Sequence, residues 1–433
     1  MNIVELVKNA GVVGAGGAGF PTHIKLQAKV DTVIANGAEC EPLLRVDQQM
    51  MALYAARVVR GLQLAVESTG AKNGIIALKE KYHKATESLE QEISKLPQKN
   101  ISIFHLGNFY PAGDEFVLVY EVTGKIIPEG GLPLNVGIVV DNIVTLMNIA
   151  NAVDGKPVTD RPLTVCGEVK NPLTAFFPVG TSVSEIINFA GGSQLAEYTV
   201  LDGGPMMGTI IPEKSSITKK TSGILVLPSD SEVVYQKSNR HAVKQIKSAC
   251  EQCQDCTEIC PRFLLGHEFE CHKIQRSTSA GLADNITQAF MCCECGLCDW
   301  ICPVKLLPRR VNQENKKLLF KQGVKNPHHK TPTAVHPMRE YRRVPMERVL
   351  GRLDLIKYDK PAPFTDKKFD ISKVAIPLHQ NVGVPAEPIV KVGDVVKKGQ
   401  LIAKIPDGKL SANIHASIDG KVTEINDRIH IKM

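Results

Sequence analysis

The 433-residue sequence contains no long apolar run and few aromatic side chains. A membrane-spanning helix needs roughly 18 consecutive apolar residues, and no stretch of the sequence approaches that length. The N-terminus lacks the basic-then-apolar order of a secretory signal. Aromatic residues make up 5% of the chain, with a single Trp, which disfavours a protein that stacks nucleic-acid bases on aromatic rings. These absences predict a cytoplasmic protein with no membrane span and no nucleic-acid partner.

The rest of the composition is typical of a folded chain of several domains. Hydrophobic residues make up 43% and charged residues 22%, as in soluble globular proteins. At roughly 100 to 200 residues per domain, the length predicts three or four domains. The 12 cysteines need a separate explanation, because a reducing cytoplasm disfavours disulfides and favours metal ligation.

Most of the cysteines fall in two copies of one motif, C-x2-C-x2-C-x3-C-P. This spacing is typical of proteins with two [4Fe-4S] clusters, in which the fourth cysteine of each run binds the cluster of the other run. One predicted cluster therefore has the ligands Cys250, Cys253, Cys256 and Cys302. The other has the ligands Cys292, Cys295, Cys298 and Cys260. Together the two clusters predict a short path for single electrons.

Zinc is the alternative metal that closely spaced cysteines could bind. Zinc sites usually pair two separated C-x2-C knuckles and require neither a third cysteine at the same interval nor the Cys-Pro step, so the pattern favours iron-sulfur clusters. The four remaining cysteines are interpreted as small buried apolar residues, and they are Cys40, Cys166, Cys271 and Cys293. Cys293 neighbours the ligand Cys292 and could replace it after damage.

Apolar periodicity predicts a multi-domain α/β and α+β protein. Early in the chain, short β-rich runs alternate with helical patterns, one of them from about Leu43 to Glu67, which favours a mostly parallel sheet. Gly-rich turns between short strands then predict a β-grasp unit, and the cysteine runs lie in a helical segment. The predicted boundaries are 1–155 for the α/β domain, 156–232 for the β-grasp unit, 233–324 for the ferredoxin-like helical unit, 325–371 for a linker and 372–433 for an all-β module.

Two of these segments leave alternatives open. The linker is rich in Pro, Lys and Arg, so it is either a solvated connection or a docking strip for an acidic partner. The all-β module shares the VxxGDxVxxGQ pattern of lipoyl domains, with Lys409 near the position of their modified lysine. The neighbours of Lys409 are Gly408 and Leu410, whereas a modified lysine usually follows an acid, so a structural or docking role is favoured.

A glycine-rich segment, GAGGAGFPTHIK, spans Gly14–Lys25. Glycines alone show only that the backbone approaches something closely or adopts a positive φ. The segment resembles the GRGGAGFPTGLK loop of the flavin-binding subunit of respiratory NADH dehydrogenase. Three later segments match that family in the same order: Asn36–Pro42 resembles NADEGEP, Tyr110–Glu115 resembles YxCGEE, and Asn142 with Thr145 falls in an NVET-like segment.

This resemblance implies a Rossmann-like domain that binds FMN through glycine amides and a helix N-terminus, with NADH beside it. Ala15 and Ala38 replace an Arg and an Asp of the family, so two polar contacts are absent and the identity of the electron donor stays open. In the alternative interpretation, Glu39 and Glu41 are an anionic pair at a helix N-terminus. The implied flavin or nucleotide contacts are Gly14, Gly16, Gly17, Gly19, Lys25, Asn36, Glu39, Glu41, Tyr110, Gly113, Glu115, Asn142 and Thr145.

The remaining segments resemble two related families. Gly203–Gly208 and Thr221–Gly223 resemble the soluble-ligand-binding β-grasp (SLBB) domain of the Rnf-complex C subunit, and Met206 and Met207 are interpreted as packing residues. The all-β module resembles the barrel-sandwich hybrid module of the same subunit, in which it comes first. Here it follows the cysteine runs, as in the PduS-type cobalamin reductases of propanediol-utilisation microcompartments, which the sequence resembles over essentially its whole length.

The resemblance to that reductase family implies an NADH-dependent flavoprotein oxidoreductase that takes cob(III)alamin through cob(II)alamin to cob(I)alamin. It implies an adenosyltransferase and a microcompartment shell protein as partners, and a location inside or attached to the microcompartment. No side chain is assigned as a catalytic acid, base or nucleophile. Two alternatives remain, an Rnf-like subunit that oxidises NADH for electron transport and a non-enzymatic iron-sulfur relay.

Overall fold

The computed structural model describes residues 2–367 and 369–433. They form two compact units, each built from separate segments of the chain. The first unit contains the chain up to His105 together with Gly137–Ser229 and Tyr358–Met433, and the second contains Leu106–Val136 and Asp230–Lys357. The predicted mixture of α/β, α+β, helical and all-β structure is confirmed.

Helices and strands alternate in the first part of the chain and separate later. The helices are α1 (Ile3–Asn9), α2 (Thr22–Lys25), α3 (Val46–Leu53), α4 (Ala55–Thr69), α5 (His83–Ser94), α6 (Glu115–Thr123), α7 (Ile143–Val153), α8 (Val183–Phe189), α9 (Glu232–Ser238), α10 (Ala242–Ala249), α11 (Asp255–Glu258), α12 (Pro261–Leu264), α13 (Cys271–Ala280), α14 (Leu297–Ile301), α15 (Pro308–Lys321) and α16 (Met346–Arg352). The strands are β1 (Thr32–Gly37), β2 (Asn73–Lys79), β3 (Ile101–Leu106), β4 (Phe109–Tyr110), β5 (Ile138–Asn142), β6 (Asp160–Gly167), β7 (Leu173–Pro178), β8 (Tyr198–Asp202), β9 (Thr209–Ile211), β10 (Gly223–Pro228), β11 (Val344–Pro345), β12 (Lys373–Pro377), β13 (Glu387–Pro388), β14 (Val395–Val396), β15 (Leu401–Lys404), β16 (Ile414–His415), β17 (Gly420–Ile425) and β18 (Arg428–Lys432). None of the helices in the described part of the chain is both long and apolar enough to cross a membrane.

The first unit contains a sheet with the strand order β3-β2-β1-β5. Strand β1 runs parallel to β2 and to β5, and the register aligns Asn36 of β1 with Asn142 of β5. Helices α4 and α7 pack so closely that a Cβ atom at Gly61 would lie 1.9 Å from the carbonyl oxygen of Leu146. Since the carboxyl ends of parallel strands form the usual ligand-binding edge of such a sheet, the polar ends of β1 and β5 lie where a site is expected.

The prediction of one continuous helix from about Leu43 to Glu67 is wrong, because the chain forms two helices, α3 and α4, separated at Tyr54. Tyr54 leaves the helical conformation, with φ −125° and ψ 31°. Its ring packs edge-to-face against Phe176 and Phe364, with centroid distances of 5.7 and 6.1 Å. A contact with distant parts of the chain therefore overrides the local helical pattern at this residue.

Two further β structures complete the first unit. A five-stranded mixed sheet has the order β7-β6-β10-β8-β9 and packs against α8, which begins with a capping box formed by Ser182 and Glu185. Near the C-terminus, a four-stranded sheet, β12-β18-β17-β14, and a three-stranded sheet, β13-β15-β16, share one apolar core. These are the β-grasp and barrel-sandwich folds that the sequence predicts.

The second unit is mainly helical. Strand β4 pairs antiparallel with β11, which places Val344 opposite Tyr110, and α16 follows directly. The helices α10 to α15 surround two small apolar cores, one of which contains Cys302, while the other contains Cys271 and Cys298. Cys295, Cys298 and Cys302 of the second run are therefore buried in this unit, whereas Cys253 of the first run is exposed.

Candidate functional site

The glycine-rich segment of the first unit forms a closed loop. Gly14 donates its N–H to the carbonyl of Phe20 at 2.8 Å. Ala15 donates its N–H to Oγ1 of Thr145 at 2.9 Å, and its carbonyl accepts a hydrogen bond from Nη2 of Arg161 at 2.8 Å. Arg161 is buried, and no sequence motif indicated it. These bonds fix the loop against the first turn of α7.

The loop lies beside the end of strand β5 and has an open side. A Cβ atom at Gly16 would lie 3.5 Å from Cβ of Asn142, the last residue of β5. Gly17 has a φ of 109°, and a Cβ atom there would meet no atom within 4 Å. At the far end, the carbonyl of Gly19 accepts the N–H of Val382. Exposed glycine backbone next to the start of a helix provides N–H groups for a phosphate.

Lys25 contacts the edge strand β5, and Asn36 lies in the adjacent strand β1. The Nζ atom of Lys25 donates to the carbonyl of Val140 at 2.7 Å and lies 3.5 Å from Oδ1 of Asp141. Burial raises the pKa of Asp141, although the charge of Lys25 opposes the shift. The side-chain oxygen of Asn36 accepts the N–H of Ala38 at 3.2 Å. Both residues thus lie at the edge where the sequence predicts the flavin.

Glu39 forms part of a buried carboxylate pair with Asp47. Its oxygens accept the N–H groups of Asp47 and Gln48 at 2.8 and 3.2 Å, so it caps the N-terminus of α3 as the alternative interpretation proposed. Asp47 accepts a hydrogen bond from Nδ2 of Asn142 at 2.9 Å. Burial raises the pKa of both carboxyls, and the charge of Glu39 helps to raise the pKa of Asp47 to about 7.

Glu41 contacts the SLBB loop Gly203–Gly208. Its carboxylate accepts the N–H groups of Met206 and Met207 at 2.9 and 2.8 Å. A Cβ atom at Gly204 would lie 2.2 Å from Oε2 of Glu41, so this close approach requires glycine. The two domains of the first unit therefore meet at a residue for which the sequence predicts a nucleotide contact.

The structure places Tyr110, Gly113 and Glu115 in the second unit and the other predicted flavin contacts in the first. Tyr110 is buried and donates its hydroxyl to the carbonyl of Cys295 at 2.7 Å. Between Gly113 and Glu115, Asp114 caps α6 and pairs with both Nη atoms of Arg262 at 2.5 and 3.0 Å. Burial opposes ionisation of Asp114, but the Arg262 charge outweighs it and holds the pKa of Asp114 below its usual value.

The second unit contains two cavities lined by cysteines. The first has an empty volume of about 440 Å³ and also contacts the apolar side chains of Ile246 and Leu306. Leu306 donates its N–H to Sγ of Cys302 at 3.3 Å. The cysteines that line this cavity are Cys250, Cys253, Cys256 and Cys302. They are the four ligands predicted for one cluster, including the exchanged fourth cysteine.

The second cavity has an empty volume of about 310 Å³. Glu294 donates its N–H to Sγ of Cys292 at 3.4 Å, and Asn312 donates Nδ2 to the same sulfur at 3.6 Å. Burial raises the pKa of the Cys292 thiol to about 12, so its thiolate needs a compensating cation. The cysteines lining this cavity are Cys256, Cys260, Cys271, Cys292, Cys293, Cys295 and Cys298.

The backbone has the same conformation at equivalent positions of the two cysteine runs. The residues before and after the second cysteine of each run are left-handed, with φ of 57° at Gln252, 71° at Gln254, 60° at Glu294 and 85° at Gly296. Three of the four are not glycine, so the conformation is held against a steric cost in both loops. The repeat indicates that both loops wrap the same kind of group.

The cysteine sets surround cavities and do not converge on a point. Within residues 2–367 and 369–433, no group of three or more His, Cys, Asp or Glu side chains is placed to hold a single metal ion. Ligands spread around a cavity suit a group several atoms across, and N–H groups directed at cysteine sulfurs are among the contacts that tune such clusters. The residues present therefore fit [4Fe-4S] clusters.

Four protein families match successive segments of the chain. They are the Nuo51 FMN-binding domain at residues 7–151, the SLBB domain at 162–210, the 4Fe-4S dicluster domain at 249–307 and the RnfC barrel sandwich hybrid domain at 366–433. These matches agree with the glycine loop and the cysteine-lined cavities. The protein is therefore an oxidoreductase that transfers electrons through flavin and iron-sulfur groups.

Two relatives match the chain over nearly its whole length. Cobalamin reductase PduS of Citrobacter freundii is 41% identical over 437 residues, which cover 98% of this chain and 95% of the relative. Cobalamin reductase PduS of Salmonella typhimurium strain LT2 is 42% identical over 435 residues, with the same coverage. The chain belongs to the PduS cobalamin reductase family.

More distantly related proteins are similar to parts of the chain. The C subunit of the Na(+)-translocating ferredoxin:NAD(+) oxidoreductase complex of Acetobacterium woodii is 38% identical over 266 residues, 60% of this chain and 57% of that relative. The NAD+-reducing [NiFe]-hydrogenase in its H2-reduced state aligns with a TM-score of 0.52 at 20% identity, covering 75% of this chain and 63% of that chain. Its air-oxidized state aligns with a TM-score of 0.51 at 21% identity, covering 83% and 67%. The hydrogenase likeness shows a shared fold.

Proposed function

We propose that the protein uses NADH to reduce cob(III)alamin through cob(II)alamin to cob(I)alamin, with FMN and two [4Fe-4S] clusters as its resident carriers. The observation that carries this proposal is the sequence identity of 41–42%, over nearly the whole chain, to two proteins named cobalamin reductase. One NADH, oxidised to NAD+ with release of one proton, supplies the two electrons that cobalt takes up singly. Bound FMN and clusters supply the conversion from electron pairs to single electrons.

The chain's own residues divide this work between the two units. In the first, the glycine loop and the start of α7 at Asn142 and Thr145 hold the flavin, and buried Arg161 keeps the loop in place. In the second, each cysteine-lined cavity holds one cluster through three cysteines of one run and the fourth of the other. The remaining proposed flavin and nucleotide contacts are Gly14, Gly16, Gly17, Gly19, Lys25, Asn36, Glu39, Glu41, Tyr110, Gly113 and Glu115.

The biological setting belongs to the same proposal. An adenosyltransferase that captures cob(I)alamin is the expected partner, because this product is strongly reducing and reacts with other oxidants. Residence in or on a propanediol-utilisation microcompartment, through contact with a shell protein, follows from the PduS name of the relatives. A second candidate function is an Rnf-like subunit that oxidises NADH for a membrane complex, which the Acetobacterium woodii relative supports over 60% of the chain.

An anaerobic preparation tests the cofactors and the acceptor together. We expect about eight iron atoms and about one FMN per chain, as two cubanes and one flavin require. We also expect NADH to drive reduction of both hydroxocobalamin and cob(II)alamin, followed by absorbance. A protein that contains FMN and iron and passes electrons from NADH to methyl viologen, but not to the corrinoid, would favour the Rnf-like function instead.

Asn142 offers a test of the flavin site with little change in the fold. The variant Asn142→Asp keeps a good N-cap for α7 but replaces the donor to Asp47 with a second carboxylate, which repels both Asp47 and a phosphate. We expect the FMN content to fall at least about tenfold, the effect of about 1.4 kcal/mol of lost binding, while the iron content is unchanged.

The control is Asn2→Asp, which changes an N-cap of the same chemistry at α1. It should retain full FMN and iron. Normal FMN in Asn142→Asp would show that the flavin phosphate lies elsewhere. Equal loss of FMN in both variants would show that helix capping, and not the site, is responsible.

A further inference from the structure

A third cavity of the second unit lies next to the second cysteine run. It has an empty volume of about 460 Å³, enough for a small group. Cys292 lines both this cavity and the second cysteine-lined cavity. The cavity is therefore separated from the proposed cluster by a single ligand residue, although no flavin or cluster contact requires it. Its walls are formed by Phe116, Glu129, Gly130, Gly131, Arg262, His267, Phe290, Met291 and Cys292.

Polar side chains line the interior of this cavity, and hydrogen bonds hold them in place. Glu129 is 3% exposed, its Oε1 atom accepts the N–H of Glu268 at 2.6 Å, and its own N–H donates to the carbonyl of Lys330 at 2.8 Å. His267 has one ring nitrogen 3.0 Å from the carbonyl of Arg262 and the other 2.9 Å from the carbonyl of Ile127. A buried, fixed carboxylate facing a cavity is a hydrogen-bond acceptor that a ligand with N–H groups can use.

Two exposed apolar side chains lie next to residues that line the cavity, and we call this surface its entrance. Phe320 is 66% exposed, and its ring packs edge-to-face against Phe290 with a centroid distance of 5.2 Å. Leu132, which directly follows the Gly130-Gly131 turn, is 59% exposed. Large apolar side chains left in water around a polar recess are typical of a ligand site, where they contact the body of the ligand while its polar groups enter the recess.

We propose that the corrinoid acceptor docks here, with an amide-bearing edge in the cavity and its ring against Phe290, Phe320 and Leu132. This inference rests on the proposed function and locates its acceptor site. A corrin ring is bulky and largely apolar, and its uncharged amide side chains need acceptors such as the carboxylate of Glu129. The cavity admits a side chain but not the ring, so the ring stays at the entrance.

Docking at this entrance also places the acceptor beside Cys292. Each electron delivered there converts cob(III)alamin to cob(II)alamin, or cob(II)alamin to cob(I)alamin, and the pair released by one NADH completes both steps. An acceptor of this size cannot enter the interior of the second unit, where Cys295 and Cys298, two other proposed ligands of this cluster, are buried. The apolar entrance therefore supplies what the cysteine motifs lack, a surface specific for one acceptor.

The exposed residues of the entrance allow a test that spares the fold. Phe320→Ala and Leu132→Ser should each raise the KM for hydroxocobalamin and the Kd for cob(II)alamin without NADH, Phe320→Ala by about tenfold, as loss of an aromatic anchor does. The kcat for corrinoid, the FMN and iron contents, and NADH-driven reduction of methyl viologen should be unchanged. The matched control is Tyr341→Ala, an aromatic that is 82% exposed in the same unit and should leave all values unchanged.

The outcomes separate the inference from the proposed function. If the wild-type chain reduces methyl viologen but no corrinoid, the proposed function fails and the docking site with it. If the wild type reduces corrinoid and both variants keep its KM and Kd, the docking site alone is wrong. A parallel loss of methyl viologen reduction would also overturn it, because the variants would then act on electron supply.

Discussion

Replacing Cys302 with Ser should halve the iron content, from about eight to about four atoms per chain, because one cubane loses a ligand. Cys302 lines the first cavity together with the first cysteine run, although it belongs to the second run in the sequence. The cluster lost should therefore be the one that we propose Cys250, Cys253 and Cys256 bind. NADH-driven corrinoid reduction should fall close to the rate without enzyme, and FMN should be retained, because the glycine loop lies in the other unit.

Double variants identify which cluster Cys302 serves. Adding Cys253→Ser to Cys302→Ser should remove no further iron, since both residues line the same cavity. Adding Cys295→Ser should remove the remaining iron, because Cys295 lines the other cavity. The opposite pattern would mean that each run binds its own cluster. Cys166→Ala, at a buried cysteine of the first unit, is the control and should retain all of the iron.

The features that the sequence predicts best are those that depend on local spacing. The spacing within each cysteine run is set within about ten residues, and the exchange of Cys260 and Cys302 stays a prediction from the same motif. Strands β1 and β2 likewise follow from short apolar runs. In each case the information lies within one segment of chain, so distant contacts are not needed to interpret it.

Contacts between segments that are far apart in the chain could not be predicted from the sequence. Glu41 matches a nucleotide-binding position of a known family, yet its carboxylate accepts the N–H groups of Met206 and Met207, which are 165 and 166 residues away. Asp47 lies beside Asn142 although no motif includes it. Cys271, interpreted as a buried apolar residue, lines the second cysteine cavity. These positions depend on how the domains pack, which periodicity and spacing do not encode.

Arg262 is the second residue at which we expect a large effect. Arg262→Met should destabilise the second unit by about 3–5 kcal/mol, because it leaves the Asp114 carboxylate buried without its partner. Both side chains are largely buried, at 7% and 14% exposure, and the Arg262 guanidinium also lies 3.9 Å from the centroid of the Phe116 ring. The effect is measured as the change in the urea midpoint at which the cluster absorbance of the anaerobic protein is lost, multiplied by the m value.

A double variant distinguishes the buried charge from the lost contacts of Arg262. Asp114→Asn keeps the N-cap of α6 and removes the negative charge, so adding it to Arg262→Met should restore most of the stability. The matched control is Lys330→Met, which breaks an exposed ion pair with Glu268 in the same unit and should cost no more than about 1 kcal/mol. If the double variant is as unstable as Arg262→Met, then packing against Phe116, and not charge pairing, holds this part of the unit together.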